Sequence, residues 1–203
     1  MPTRNKPRSK DMTKTIFHNA PSLITKVFGN NIKLLPSVDE LFELELAYLE
    51  FNCLSKEQLI ERSAFIKSID NEYTRHYLLY SNYNEAINEN RSAQTQTYFE
   101  EGQFSTGYAT HGLFPYRGKF HPQLIKGLLN ILGVEKGETI LDPMAGSGTA
   151  NVEAALMGIN SVACDVSPFC QFMIKVKYES LMIDLNLLEN TPFDHKKLFD
   201  FFK

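Results

Sequence analysis

From residue 37 the chain alternates apolar runs with cap and turn residues. Ser37-Val-Asp-Glu40 has the spacing of a capping box, in which Ser37 caps a helix and Glu40 reaches back. Leu41, Phe42, Leu44, Leu46, Ala47 and Leu49 follow and predict a helix that buries much of its surface. Ser55-Lys-Glu-Gln58 repeats the signal, with Leu59, Ile60, Phe65 and Ile66 behind it. Tyr73, Tyr77, Tyr80 and Tyr83 recur three or four apart, which places them on one helix face. Such a stripe either packs helices together or stacks on bases, packing being the commoner use. Residues 37–100 therefore read as a helical module. Residues 91–120 keep no period and mix glycine, threonine and aromatics. That length and composition suit a binding loop better than a disordered linker.

The pattern changes at 121. Pro122 suits the first turn of a helix, Leu124, Ile125, Leu128, Leu129 and Leu132 give it an apolar side, and Gly133 suits its end. Glu138 to Asp142 reads as a short strand, Thr149 to Met157 as a helix closed by Gly158, and Asn160 to Asp165 as a second strand. Ser167 caps a third helix from Pro168 to about Glu179. A strand, a helix and a second strand in that order make a βαβ unit, with parallel strands and a right-handed crossover. The fold class expected is α/β, a partial Rossmann-like parallel sheet over residues 101–203.

Composition narrows the class. An apolar fraction of 43% and a charged fraction of 22% belong to a globular chain. No run approaches the roughly 20 apolar residues of a membrane span, and no signal-peptide core follows the N-terminus, so a cytoplasmic protein is expected. Cys53, Cys164 and Cys170 lack paired spacing and the five histidines are scattered, so no disulfide framework and no metal site are expected. Net charge is -3, yet Arg4, Lys6, Arg8, Lys10, Lys14, Lys26 and Lys33 face only Asp11 before residue 37. Residues 1–36 thus read as a basic arm, either touching phosphates or forming a solvated, disordered tail.

The chemistry centres on the turn Asp142-Pro-Met-Ala-Gly-Ser-Gly-Thr149. Parallel sheets bind ligands beyond the carboxyl ends of their strands, where Asp142, Gly146, Gly148 and Asp165 fall. The glycines admit sharp bends and close approach, and the following helix aims free N–H groups at the same space. An acid at the end of the second strand typically accepts from ribose hydroxyls. A P-loop is excluded, because Ser147-Gly148-Thr149 lacks its lysine. A dinucleotide fingerprint wants a third glycine where Asn151 stands, and the Asp142 carboxylate would repel a pyrophosphate. It suits an ammonium group instead, and S-adenosylmethionine offers adenosine joined to a cationic amino acid.

The same turn resembles the cofactor motif of class I methyltransferases that modify exocyclic amines of DNA bases, whose usual form is D-P-F-x-G-S-G-T. Met144 departs from the phenylalanine. His111-Gly-Leu-Phe-Pro-Tyr-Arg-Gly-Lys-Phe-His-Pro-Gln123 resembles that family's other cofactor segment. The likeness covers about residues 105–180. It implies that Lys119 and Phe120 border the methionine moiety and that Asp142, Ala145, Gly146, Gly148 and Thr149 line it. It further implies that Asp165 binds ribose and Val166 packs on adenine, in a restriction–modification enzyme methylating cytosine N4 or adenine N6.

The family's amine-holding loop, a polar residue followed by Pro-Pro and an aromatic, has no counterpart in the sequence. Asn190-Thr-Pro-Phe193 is the nearest string and lacks one proline. No catalytic residue is therefore assigned, and the target-recognition region is missing as well. The expectation is a truncated or split enzyme, inactive alone, with DNA and a second polypeptide as partners. Two other readings stay open. One is an RNA guanine amino-methyltransferase, whose cofactor motif also resembles D-P-M-x-G-S-G-T. The other is a non-catalytic partner subunit.

Overall fold

The computed structural model describes residues 21–38, 40–79, 107–184 and 186–187. The first layer comprises α1 (Pro21–Phe28), β1 (Ile32–Leu34), α2 (Leu41–Cys53), α3 (Lys56–Arg62), β2 (Ile66–Ile69) and β3 (Glu72–Tyr73). The strands form an antiparallel sheet in the order β1-β2-β3, pairing Ile32 with Ile69 and Ser68 with Tyr73. Asp70 and Asn71 join β2 to β3 with φ of 50° and 68°, the backbone of a tight two-residue hairpin. Phe28, Ala47, Ala64 and Phe65 form one apolar cluster; Leu59, Ile66 and Ile69 form another beside it.

Several expectations change here. Residues 21–34, read as part of a basic arm, supply α1 and β1. The module expected to be helical contains β2 and β3, and Phe65 and Ile66 lie beyond the end of α3. Glu40, not Ser37, is the N-cap of α2, in a capping box with Glu43. Ser37 instead accepts from Gln123 Nε2 at 3.2 Å. The second cap signal holds: Ser55 accepts from the Gln58 N–H and Gln58 returns the bond. Tyr73 sits on a strand, so it shares no helix face with Tyr77. The two rings meet at 4.9 Å on the surface, beside Lys67. Tyr80, Tyr83, Asn190-Thr-Pro-Phe193 and residues 1–20 lie outside the described residues.

α4 (Pro122–Ile131) begins with Pro122 after the N-cap His121. Its leucines do not all turn inward: Leu128 is 39% and Leu132 74% exposed, while Gln123, Lys126 and Asn130 are buried. These polar residues face the first layer. Asn130 Nδ2 donates to Glu50 Oε1 at 2.5 Å and to the Arg62 carbonyl at 2.8 Å. Arg62 Nε donates to Asn130 Oδ1 at 2.5 Å and its Nη2 to the Val134 carbonyl at 2.6 Å. Gln123 Nε2 donates to the Ala64 carbonyl at 3.0 Å. Glu50 also receives the Ala64 N–H, and burial raises its carboxyl to a pKa of about 7. The seam between the layers is thus largely hydrogen-bonded, with Glu50, Arg62, Gln123 and Asn130 finding partners at the cost of their hydration.

Beyond α4 come β4 (Thr139–Asp142), α5 (Thr149–Leu156), β5 (Asn160–Ala163) and α6 (Pro168–Ser180). β4 and β5 pair in parallel, from Thr139 with Asn160 to Asp142 with Ala163, so this is the expected α/β unit. Leu129, Ala154 and Ile159 form its core, with Ile125, Val134, Ile140 and Met157 packed against them. Ser167 caps α6 by accepting from the Cys170 N–H. β5 ends at Ala163, two residues short of the expected Asp165. Among the described residues no helix is long and apolar enough to cross a membrane, and no cluster of potential metal ligands occurs.

Candidate cofactor site

The link from β4 to α5 is laced to the end of β5. The Cys164 N–H donates to the Asp142 carbonyl at 2.9 Å and the Ala145 N–H to the Cys164 carbonyl at 3.0 Å. The Gly148 N–H closes the turn on the Ala145 carbonyl at 2.7 Å. Gly146 has φ +51° and Gly148, the N-cap of α5, has φ +75°, a region that side chains with a Cβ seldom occupy. Sequence order alone separates Asp165 from this turn by almost 20 residues. The fold closes that gap: Asp165 Oδ2 accepts the Gly146 N–H at 2.7 Å and Oδ1 the Ser167 N–H at 2.9 Å. Those N–H groups, Ser167 first and then Gly146, hold the carboxyl below the usual aspartate range. At neutral pH Asp165 is an anion whose two oxygens each retain accepting capacity.

Asp142 closes β4, and its Oδ1 accepts from the Met144 N–H at 3.2 Å. Ala145 and Thr149 are buried, Thr149 with its hydroxyl 3.4 Å from that of Ser147. Their side chains support the turn from within, so contact with a ligand there falls to backbone. The two glycines differ. A Cβ on Gly148 would come within 2.9 Å of Ile174 Cγ1 on α6, so this glycine lets two helices meet. A Cβ on Gly146 would come 3.3 Å from the Tyr116 hydroxyl, on the side toward the 107–120 segment.

That segment contributes Lys119, whose Nζ donates to the His111 carbonyl at 3.4 Å. Its partial burial lowers the amine's pKa. Phe120 and Val166 project outward, 63% and 100% exposed, and Met144 in the turn is 84% exposed. The structure therefore brings Asp165, Gly146, Ala145 and Asp142 together by hydrogen bonds, and leaves the apolar pair at the margin facing solvent. A parallel-strand edge, close backbone and acidic oxygens with accepting capacity left, beside bare apolar side chains, fit a nucleoside carrying a small cationic group.

Sequence reasoning missed Tyr116 and Lys177. Tyr116 carried no periodic signal. Lys177 had one: Cys170, Met173, Ile174 and Lys177 follow the spacing of a buried helix face, and all four are buried. Lys177 Nζ donates to the Ser147 carbonyl at 2.9 Å, bracing the turn from below. Burial lowers its pKa, and the nearby Lys119 ammonium lowers it further. A second buried group stands behind α5. Glu153 accepts from the Tyr108 hydroxyl and pairs with His111 Nε2 at 2.8 Å. Burial, then the Glu153 charge, pushes the Tyr108 phenol well above its usual pKa, so it stays a donor.

Residues 113–194 match the family described as RMKL-like, methyltransferase domain. The type II methyltransferase M.MjaII of Methanocaldococcus jannaschii is 40% identical over 96 residues, 44% of this chain and 18% of its own length. The type II methyltransferase M.BsoBI of Geobacillus stearothermophilus is 34% identical over 87 residues, 43% of this chain and 17% of its own. A tRNA (guanine(10)-N2)-dimethyltransferase of Methanothermobacter thermautotrophicus is 42% identical over 53 residues, 26% of this chain and 16% of its own. The chain covers less than a fifth of the length of each of these relatives. By its βαβ unit, its glycine turn and these likenesses, the chain is related to S-adenosylmethionine-dependent methyltransferases of both the type II and the tRNA guanine kinds.

Proposed function

We propose that the β4–α5–β5 edge holds S-adenosylmethionine, and that the chain belongs to an enzyme methylating the exocyclic amine of cytosine or adenine in DNA. The observation that carries this reading is the Asp165 carboxylate held against the Gly146 N–H, which makes one acidic, close-backed cradle of two distant sequence motifs. In this reading Asp165 uses its remaining lone pairs on the ribose hydroxyls, and Val166 offers its exposed side chain to the adenine face. The Asp142 carboxylate faces the amino-acid ammonium group. Backbone at Ala145, Gly146, Gly148 and Thr149 lines the methionine part, which Lys119 and Phe120 border from the other side. When bound, the donor supplies an electrophilic methyl group on a sulfonium centre. The chain's task is to fix that group's direction and exclude water around it.

Holding the target amine is assigned to a Pro-Pro-aromatic loop outside these 203 residues, because their sequence contains none. A second polypeptide, or further sequence of the same enzyme, and the DNA itself are the proposed partners. DNA is favoured over RNA because the likenesses to type II methyltransferases cover 44% and 43% of the chain, against 26% for the tRNA guanine enzyme. Met144 supports the RNA reading, since guanine amino-methyltransferases resemble D-P-M-x-G-S-G-T at this position.

Calorimetric titration with S-adenosylmethionine, and with NAD as a control dinucleotide, tests the proposal. Saturable binding of the first and not the second is expected. Binding of NAD alone, or of neither, refutes it.

A further inference from the structure

Glu153 lies one turn into α5 and is wholly buried, yet no part of the cofactor reading requires it. Its Oε1 accepts from the Tyr108 hydroxyl and lies at hydrogen-bond distance, 2.8 Å, from His111 Nε2. Both partners come from one turn, closed by the His111 N–H on the Tyr108 carbonyl at 3.2 Å, with Ala109 at φ +51°. The two rings meet edge to face at 5.1 Å, and His76 of the first layer packs on Tyr108 at 5.3 Å. Glu153 Oε2 finds no hydrogen-bond partner among the described residues, so Oε1 makes the side chain's polar contacts, and both partners come from a segment with no helix or strand of its own.

The same segment reaches the glycine turn. Five residues past His111, the Tyr116 hydroxyl stands 3.3 Å from the place a Gly146 Cβ would take. Eight residues past it, Lys119 returns its Nζ to the His111 carbonyl at 3.4 Å. One end is pinned to the helix behind the turn and the other lies over the turn itself.

We propose that Glu153 is a positioning residue, which fastens residues 107–120 to α5 so that Tyr116, Lys119 and Phe120 stand over the cofactor turn. This rests on the cofactor reading above, and Glu153 itself touches no reacting atom. Hydrogen exchange read by mass spectrometry, without cofactor, compares wild type with Glu153→Gln, Tyr108→Phe and the double variant. S-adenosylmethionine is titrated into the same four proteins.

Exchange across 107–120 is expected to rise about tenfold in each variant while β4 and β5 keep their protection. Affinity is expected to fall about ten- to a hundredfold. The double variant is expected to lose no more than the worse single one, because the Tyr108 hydroxyl acts through Glu153. Tyr108→Phe keeps the ring and removes one hydroxyl, so it serves where Glu153→Gln does not fold. Unchanged exchange over 107–120 overturns the proposal. So does a rise shared equally by β4 and β5, which makes Glu153 an ordinary core residue, and so do additive losses in the double variant. A wild type without affinity for S-adenosylmethionine refutes the cofactor reading alone; the exchange result still decides the fastening.

Discussion

Replacing Gly148 with alanine separates what this glycine does for the fold from what Gly146 does for the turn. At φ +75° an alanine pays the left-handed penalty of about 1–2 kcal/mol. Its methyl would also lie 2.9 Å from Ile174 Cγ1 and 3.3 Å from Ile174 Cβ and Cγ2. Such contacts force α5 and α6 apart, an overpacking cost of about 1–3 kcal/mol. The sum, about 2–5 kcal/mol, is a large share of ordinary domain stability. Gly146→Ala carries the same backbone strain, but the three atoms nearest its new methyl all belong to Tyr116, the hydroxyl first at 3.3 Å, on a segment without regular structure. It should therefore cost about 1–2 kcal/mol. Urea denaturation of the two variants against wild type reads the difference. Ile174→Ala should cost less in the Gly148→Ala background than alone, because the added methyl fills part of the cavity. Equal destabilisation by the two glycine substitutions, or a Gly148→Ala protein as stable as wild type, would refute the packing account.

Glu50 should make stability fall as pH rises. Its native pKa of about 7 lies above its unfolded value of 4.5, so between those pH values the unfolded chain releases a proton that the native state keeps. The loss is about 3 kcal/mol from pH 4.5 to 7, and subtracting the urea-derived curve of Glu50→Gln isolates it from the opposing titration of His76. A wild-type-minus-variant curve that is flat over this range would contradict it. Asp165→Asn keeps the side chain's shape and removes its charge. S-adenosylmethionine affinity should drop about ten- to a hundredfold by calorimetry, and undiminished affinity would remove Asp165 from the ribose role.

The βαβ unit was legible because each of its signals is local. Ser167 caps α6 from its own side chain, and the strands announce themselves between turn residues a few positions away. The antiparallel sheet was not. β1 pairs with β2 across more than 30 residues, and the hairpin after β2 turns on Asp70-Asn71 without a glycine to mark it. The polar face of α4 was illegible for a related reason. Gln123, Lys126 and Asn130 have the pattern of a solvated side, and only the fold shows that Glu50, 80 residues earlier, awaits Asn130. At the site, the positions of Asp165 and Gly146 were readable, but not their mutual hydrogen bond. Nor does sequence tell which side of a glycine is crowded: Gly148 and Gly146 look alike until Ile174 and Tyr116 are placed.

The hydrogen-bonded seam along α4 has a mechanical consequence. Oily surfaces slide over one another at little cost, whereas a bond from Asn130 to Glu50 or from Arg62 to Val134 fails within a fraction of an ångström. The first layer therefore serves α4 as a jig. It sets the helix's rotation and axial position, and through Leu129 against Ala154 and Ile159 it sets where α5 begins. A redesigned seam of matched leucines would hold the layers together as firmly and let that setting drift. The drift would appear as a broadened distribution of turn geometries rather than as a lower melting point.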